Sequence, residues 1–228
     1  MANRMILVDI RRMAFGAAEI LRDVRFELAE GENLAILGPS GIGKTTLLRI
    51  AAGLIKGFEG RIEGAIPLAM VFQEPTLLPW RDALQNITLT TGATASEAEA
   101  ALHEVGLADK GNHFPGQLSL GQQRRLSLAR AFAAKPRLLL LDEPFASLDE
   151  TTAAAMIALT SRMLASRNIA SLLVTHAAEE AVALASRALL VAGRPGTIVG
   201  EYRIHAPPGA EKADAAQGLR RALAKAAG

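Results

Sequence analysis

Gly38-Pro39-Ser40-Gly41-Ile42-Gly43-Lys44-Thr45 follows an apolar run, Leu34 to Leu37, and opens a helical pattern that continues from Lys44 to Ile55. The octet satisfies G-x-x-x-x-G-K-[ST], with the strand before it and the helix after it that a phosphate-binding loop requires. Glycines let successive backbone N–H groups turn inward around phosphate oxygens, and the helix N-terminus adds partial positive charge. Lys44 is then placed to reach β and γ phosphates, and Thr45, with Thr46 beside it, to offer a hydroxyl to Mg²⁺. A glycine-rich strand-to-helix turn carrying a surface lysine is the plain alternative, and the complete pattern with both flanks argues against it.

A second stretch, Leu138-Leu139-Leu140-Leu141-Asp142-Glu143, is an apolar run closed by two acids. Consecutive side chains on a strand point to opposite faces, so the two carboxylates are expected to have separate tasks. Asp142 suits Mg²⁺ held through its water shell, and Glu143 suits the water that attacks a γ-phosphate. Alone, such a pair reads as a solvated strand end; beside a phosphate loop it becomes a candidate catalytic pair.

Outward from these two stretches, short apolar runs at Met5–Ile10, Leu68–Phe72, Ile169–Thr175 and Ala188–Val191 predict further strands. Helical patterns at Ser96–Val105, Gly121–Ala133, Thr151–Ser166 and Ala177–Ala185 separate several of them, which predicts an α/β sheet. The interval from Glu74 to Pro115 is rich in Thr, Ala and Glu, has helix-like spacing and no convincing strand, and reads as an inserted helical lobe. His205 through Gly209 is loop-like, and the Ala-rich end with Leu219 and Leu223 is compatible with a last short helix.

Composition narrows the function. Of 228 residues, 50% are apolar and 21% charged, which allows an ordered core and excludes disorder over most of the chain. A net charge of +2 gives no argument for an obligatory nucleic-acid partner. With no cysteine there is no disulfide framework, thiolate metal site or cysteine nucleophile, and four scattered histidines form no zinc motif. No uncharged apolar run approaches the ~18 residues that span a bilayer, and Met1 to Met13 lacks the layout of a signal peptide, so an unsecreted chain without its own membrane span is expected.

Further motifs in order along the chain resemble those of the nucleotide-binding subunit of ATP-binding cassette transporters. Leu118-Ser119-Leu120-Gly121-Gln122 resembles the signature motif, ahead of a helix with Gln123, Arg124 and Arg125. Gln73 matches the Q-loop glutamine, Ser147-Leu148-Asp149 the D-loop, and His176 the switch histidine. Each is commonplace singly, since a polar loop residue, a turn or a capping histidine would explain it. The resemblance spans about Met5 to Val199. It implies a P-loop NTPase of this type: a RecA-like α/β core with an antiparallel β lobe and a helical subdomain at about 74–135, the ATPase domain covering 1–204 and a tail 205–228. It further implies ATP and Mg²⁺ as ligands, Gln73 beside Thr45 and Asp142 at the metal, and catalytic roles for Glu143, His176 and Gln73. Two copies are expected to sandwich ATP head to tail, the phosphate loop of one facing Ser119, Gly121 and Gln122 of the other, with Asp149 at the shared interface.

Phe15 stands where the family places an aromatic against adenine, on a stretch that reads as loop; an ordinary core phenylalanine is the competing reading. Glu74-Pro75-Thr76-Leu77-Leu78-Pro79-Trp80-Arg81 and Arg194-Pro195-Gly196-Thr197-Ile198 resemble the nitrate, sulfonate and taurine importer branch. In that branch a membrane permease is the partner, a separate solute-binding protein acts through it, and the ATPase sits peripherally on the cytoplasmic side of the inner membrane. Trp80 is either an anchor for a permease helix or a plug of the lobe. Leu120 departs from the family's glycine, and a turn needing positive φ there would be strained. Two other readings use the same motifs: a cassette ATPase acting on nucleic acid or ribosomes, and a regulatory subunit that binds ATP but scarcely hydrolyses it.

Overall fold

The computed structural model describes residues 4–64, 66–204 and 211–227. From the N-terminus the chain forms β1 (Arg4–Phe15), β2 (Ala18–Ala29), β3 (Asn33–Leu37), α1 (Lys44–Ala51), β4 (Phe58–Glu63) and β5 (Leu68–Val71). Helices α2 (Ala83–Thr91), α3 (Ala95–Glu104) and α4 (Leu120–Ala133) come next, then β6 (Leu138–Asp142), α5 (Glu150–Arg167) and β7 (Ala170–Thr175). The chain continues through α6 (Ala178–Leu184), β8 (Arg187–Ala192), β9 (Thr197–Arg203) and α7 (Glu211–Ala227).

Six strands form one sheet in the order β5-β6-β7-β3-β8-β9, parallel except for β9, which runs antiparallel to β8. The order departs from the chain order, as in doubly wound sheets, so the C-terminal ends of β6, β7 and β3 lie side by side. Leucines 138 to 141 are all fully buried, with Leu138 and Leu140 in one core and Leu139 and Leu141 in the other. Both faces of this strand are covered, which is why the run is continuously apolar rather than alternating. One core joins the sheet to α1 and to a small antiparallel sheet, β2-β1-β4; the other joins it to α2–α6 and α7.

Three strands escaped the search for apolar runs, and β1 is longer than expected. In β2, Leu21, Val24, Phe26 and Leu28 are buried between exposed residues such as Arg22, Asp23, Arg25 and Glu27. A sheet wet on one side carries that alternation, and its charged face hides it from a search for hydrophobic continuity. β4 (FEGRIE) and β9 (TIVGEYR) are also largely solvated; β4 is held by β1, distant in the chain, and β9 by its hairpin neighbour β8.

Helix α1 stops at Ala51, before the expected Ile55, with Gly53 in the left-handed region at φ 72°. Between β5 and β6 the chain makes α2, α3 and α4, and α2 begins with Asp82 accepting from the Gln85 N–H at 2.7 Å. The loop expected over residues 205–209 lies outside the described residues. Helix α7 runs for 17 residues and seats fully buried Leu219 in the core beside α6 and β8.

Candidate active site

Leu37 ends β3, and the loop 38–43 carries the chain into α1 at Lys44. Gly43 sits at the helix start with φ 105°, and a Cβ there would lie 2.8 Å from Leu21 Cδ2 and 2.9 Å from Ile20 Cγ2. Both its backbone conformation and its contact with β2 exclude a side chain. The antiparallel sheet therefore packs directly against the phosphate loop.

Lys44 is buried, and its ammonium donates to the carbonyls of Gly38 at 2.8 Å and Pro39 at 3.0 Å. The Glu143 carboxylate lies 3.5 Å from the same nitrogen. Burial pushes the Lys44 pKa down, and Glu143 and Asp142 oppose that shift. Next to it, Thr45 Oγ1 donates to Asp142 Oδ1 at 2.8 Å. Burial raises the Asp142 pKa, while this hydrogen bond and the charges of Arg49 and Lys44 lower it.

Asp142 and Glu143 do not face opposite sides of the sheet, contrary to the strand-based expectation. Glu143 leaves β6 with φ 44°, in the left-handed region, while its N–H donates to the Val174 carbonyl at 2.9 Å. That turn brings both acids to the junction of loop and helix, Asp142 onto Thr45 and Glu143 onto Lys44. A non-glycine residue held there stores backbone strain, which its surroundings must over-determine. Glu143 Oε2 also lies 3.2 Å from Nδ1 of His176, just beyond β7, so three strand ends meet at one acid.

The structure brings together the loop 38–43, Lys44, Thr45, Asp142, Glu143 and His176. Thr46 follows in the first turn of α1. Gln73 is exposed just past the end of β5 and makes no side-chain hydrogen bond among the described residues. Phe15 is the last residue of β1, paired with Ala18, rather than part of a loop. Its ring is 54% exposed, which excludes the core reading and leaves an aromatic face open to solvent.

Ser119, Gly121, Gln122 and Asp149 stand at the starts of α4 and α5. Ser119 caps α4, accepting from the Gln122 N–H at 3.3 Å, while Gln122 Oε1 accepts from the Ser119 N–H at 2.9 Å. Asp149 caps α5, accepting from the Thr152 N–H at 3.0 Å, and its pKa is lowered mainly by Thr152. A Cβ on Gly121 would lie 3.3 Å from Thr152 Cγ2, so the two helix starts abut. Leu120 is the first helical residue of α4 and is not among the residues with positive φ; the expected strain at this position does not arise, and its side chain is exposed. Trp80 is 67% exposed, which excludes the plug reading.

Two residues to which motif reading gave no role complete the surroundings: Glu180, hydrogen-bonded to Thr175 Oγ1, and Arg124, bonded to the Pro144 carbonyl. An acid one helical turn beyond His176 is the only sequence signal for the first. For the second there is none, because its partner is a backbone carbonyl on another element.

The Thr45 hydroxyl and the Asp142 carboxylate, both oxygen donors, meet where the motifs lead one to expect a metal. No cluster of three His, Cys, Asp or Glu able to hold a metal occurs among the described residues. That set fits Mg²⁺, which takes one or two carboxylates and fills its other positions with phosphate oxygens and water.

Residues 21–146 match the ABC transporter family profile. An aliphatic sulfonates import ATP-binding protein of Mycobacterium sp. (strain MCS) is 42% identical, with 98% of this chain and 94% of the relative aligned. One from Xanthomonas axonopodis pv. citri (strain 306) is 39% identical over 91% and 88%. Among solved structures, the dimeric post-hydrolysis state of the ATP-binding cassette MJ0796 bound to ADP and Pi superposes with a TM-score of 0.77 at 28% identity, covering 89% of this chain and all of that one. A structure described as "an inward-facing conformation of a putative metal-chelate type ABC transporter" gives 0.77 at 25% identity, covering 95% of this chain and 90% of that one. With the phosphate loop, paired acids and signature helix arranged on this sheet, the chain belongs to the ABC transporter family, as an ATP-binding subunit that is an ATPase.

Proposed function

We propose that two copies of this chain bind two ATP molecules head to tail and hydrolyse them to drive solute import through a membrane permease. One observation carries the catalytic part: Glu143 is held between Lys44 and His176, beside the Thr45–Asp142 pair. The loop 38–43 and the α1 N-terminus cradle the phosphates, and Lys44 exchanges its carbonyl partners for phosphate oxygens. Phe15 stacks on the adenine. Thr45 and Asp142, with Gln73, hold Mg²⁺, which when bound neutralises charge on the phosphates. Glu143 accepts the proton of the attacking water, and His176 senses the γ-phosphate. Ser119, Gly121, Gln122 and Asp149 present a capped helix start and its neighbour to the nucleotide of the other copy.

The dimer is supported by the dimeric state in which the related MJ0796 cassette was solved. Import, and a sulfonate-like solute of the nitrate, sulfonate and taurine kind, are supported by the relatives' descriptions as aliphatic sulfonates import proteins. No helix among the described residues is long and apolar enough to cross a membrane; in this reading the permease supplies the solute path. A solute-binding protein delivers to that permease, and this subunit works from the cytoplasmic face of the inner membrane. Exposed Trp80, at the root of the 74–135 lobe, is the permease anchor. The ATPase domain is 1–204, and 205–228 is an accessory tail.

The test is Glu143→Gln. Removing a general base costs roughly 10²–10⁴-fold, so phosphate release should fall that far while ATP binding persists and ATP with Mg²⁺ traps the dimer. Undiminished release refutes the role of Glu143. Affinity purification of the trapped protein from gently solubilised membranes should recover a polytopic permease; ribosomal or nucleic-acid components alone refute the transport reading.

A further inference from the structure

Arg124 is a buried cation for which ATP binding gives no use. It lies in α4 and is only 7% exposed. Its Nη1 donates to the Pro144 carbonyl, and its Nε has no hydrogen-bond partner among the described residues. Burying a guanidinium with an N–H unpaired is costly, and an aliphatic side chain of the same length would pack without that cost. Burial lowers the proton affinity of Arg124, and the carboxylate of Glu180 raises it again.

Glu180 lies in α6. Its Oε2 accepts from Thr175 Oγ1 at 2.5 Å, and Thr175 Oγ1 accepts from the Ala177 N–H at 3.0 Å. These two bonds pin the chain on both sides of His176. Burial raises the Glu180 pKa; Thr175, His176 and Arg124 pull it down, and Glu143 pushes it up. Glu180 thus ties α6 to the turn that carries His176. Pro144, whose carbonyl Arg124 holds, directly follows Glu143 at its strained φ of 44°.

We infer that Arg124 is a positioning residue, locking the Glu143–Pro144 turn to the helix capped by Ser119. The residues proposed to meet the second copy's nucleotide and those proposed to activate water are thereby joined by one side chain. A shift of α4 on engaging phosphate is passed to Glu143 through the Pro144 carbonyl. A strained residue such as Glu143 requires this kind of external support. The inference rests on the role of Glu143 proposed above.

The experiment compares Arg124→Gln, Arg124→Met, Arg124→Lys and Glu143→Gln in the full chain, measuring steady-state phosphate release and ATP affinity separately. Misplacing a reacting group by about 1 Å can cost ~100-fold, so Arg124→Gln should lower kcat by ~10-fold or more with ATP affinity within ~2-fold. Arg124→Lys, keeping a donor for the Pro144 carbonyl, should recover part of the loss. Arg124→Met fills similar space without a donor and should lower kcat like Arg124→Gln. Turnover of Arg124→Gln within ~2-fold of the parent, or a matching loss of ATP affinity, overturns the inference. Should Arg124→Gln fail to fold, Arg124→Met decides, unchanged kcat overturning the joint. Glu143→Gln separates the two readings: if it turns over ATP, the role of Glu143 fails; if it is inactive while the Arg124 variants are normal, only the joint fails.

Discussion

Substitution of Ser119 separates two uses of one hydroxyl. Within the chain it is the N-cap of α4, in a reciprocal box with Gln122. Replacing a serine cap by alanine costs about 1 kcal/mol, which for a chain of this size lowers Tm by roughly 2–4 °C. Aspartate caps as well as serine and its charge suits a helix N-terminus, so Ser119→Asp should melt close to the parent. The proposed second use reverses that order. Alanine loses one hydrogen bond to an anion, about 1.5–3 kcal/mol, or roughly 10–100-fold in affinity at each site. A carboxylate about 4 Å from a phosphate, at an effective dielectric near 20, is repelled by about 4 kcal/mol, on the order of a thousandfold. Thermal unfolding without nucleotide reads the cap, and sedimentation velocity with ATP and Mg²⁺ in a Glu143→Gln background reads the dimer. Ser119→Asp that dimerises as tightly as its parent refutes the placement of Ser119 against the other copy's nucleotide.

Phe132 is fully buried with the Arg167 guanidinium 5.4 Å from its ring centre, and Phe132→Ala should lower unfolding stability by about 3–5 kcal/mol in urea titrations. Trp80→Ala should leave the melting curve and ATP turnover of the isolated chain unchanged, while permease recovery in pull-downs from membranes is lost; retained recovery refutes the anchor. The Glu97 pKa is held at about 2, first by Lys135 and then by the Thr94 backbone. A depressed carboxylate stabilises above its unfolded pKa and loses that contribution as pH falls from about 4.5 toward about 2. Lys135→Ala should return the Glu97 titration, followed by NMR, toward the ordinary value and flatten that acid-side slope.

Local rules were enough to read the phosphate loop, the four-leucine strand and the Asp142–Glu143 pair directly from the chain, because each is written in contiguous residues. The loop needs glycines next to Lys44, and a parallel strand covered on both faces must be apolar throughout. Strand β2 was not legible in the same way: its Arg22, Asp23 and Arg25 face water, and the partner that makes it a strand is β1. The left-handed turn at Glu143, which sends both acids toward α1, leaves no local mark either, since glutamate does not favour it and among its partners are the Val174 carbonyl, Lys44 and His176, all distant in the chain. Leu120 lost its apparent conflict once α4 was seen to begin on it with right-handed backbone.

Chain order and residue type alone point to an α/β ATPase and single out Lys44, Thr45, Asp142, Glu143 and His176 as candidates for its chemistry, since each stands in or beside a short motif at the end of an apolar run. Their meeting at one point, the exposure of Phe15 and Trp80, and the burial of Arg124 against Pro144 emerge on folding, because strands β3, β6 and β7 are neighbours in the sheet but far apart in the chain. Contacts across such separations are set by packing and by which backbone groups remain to be satisfied, and neither is encoded in a local pattern.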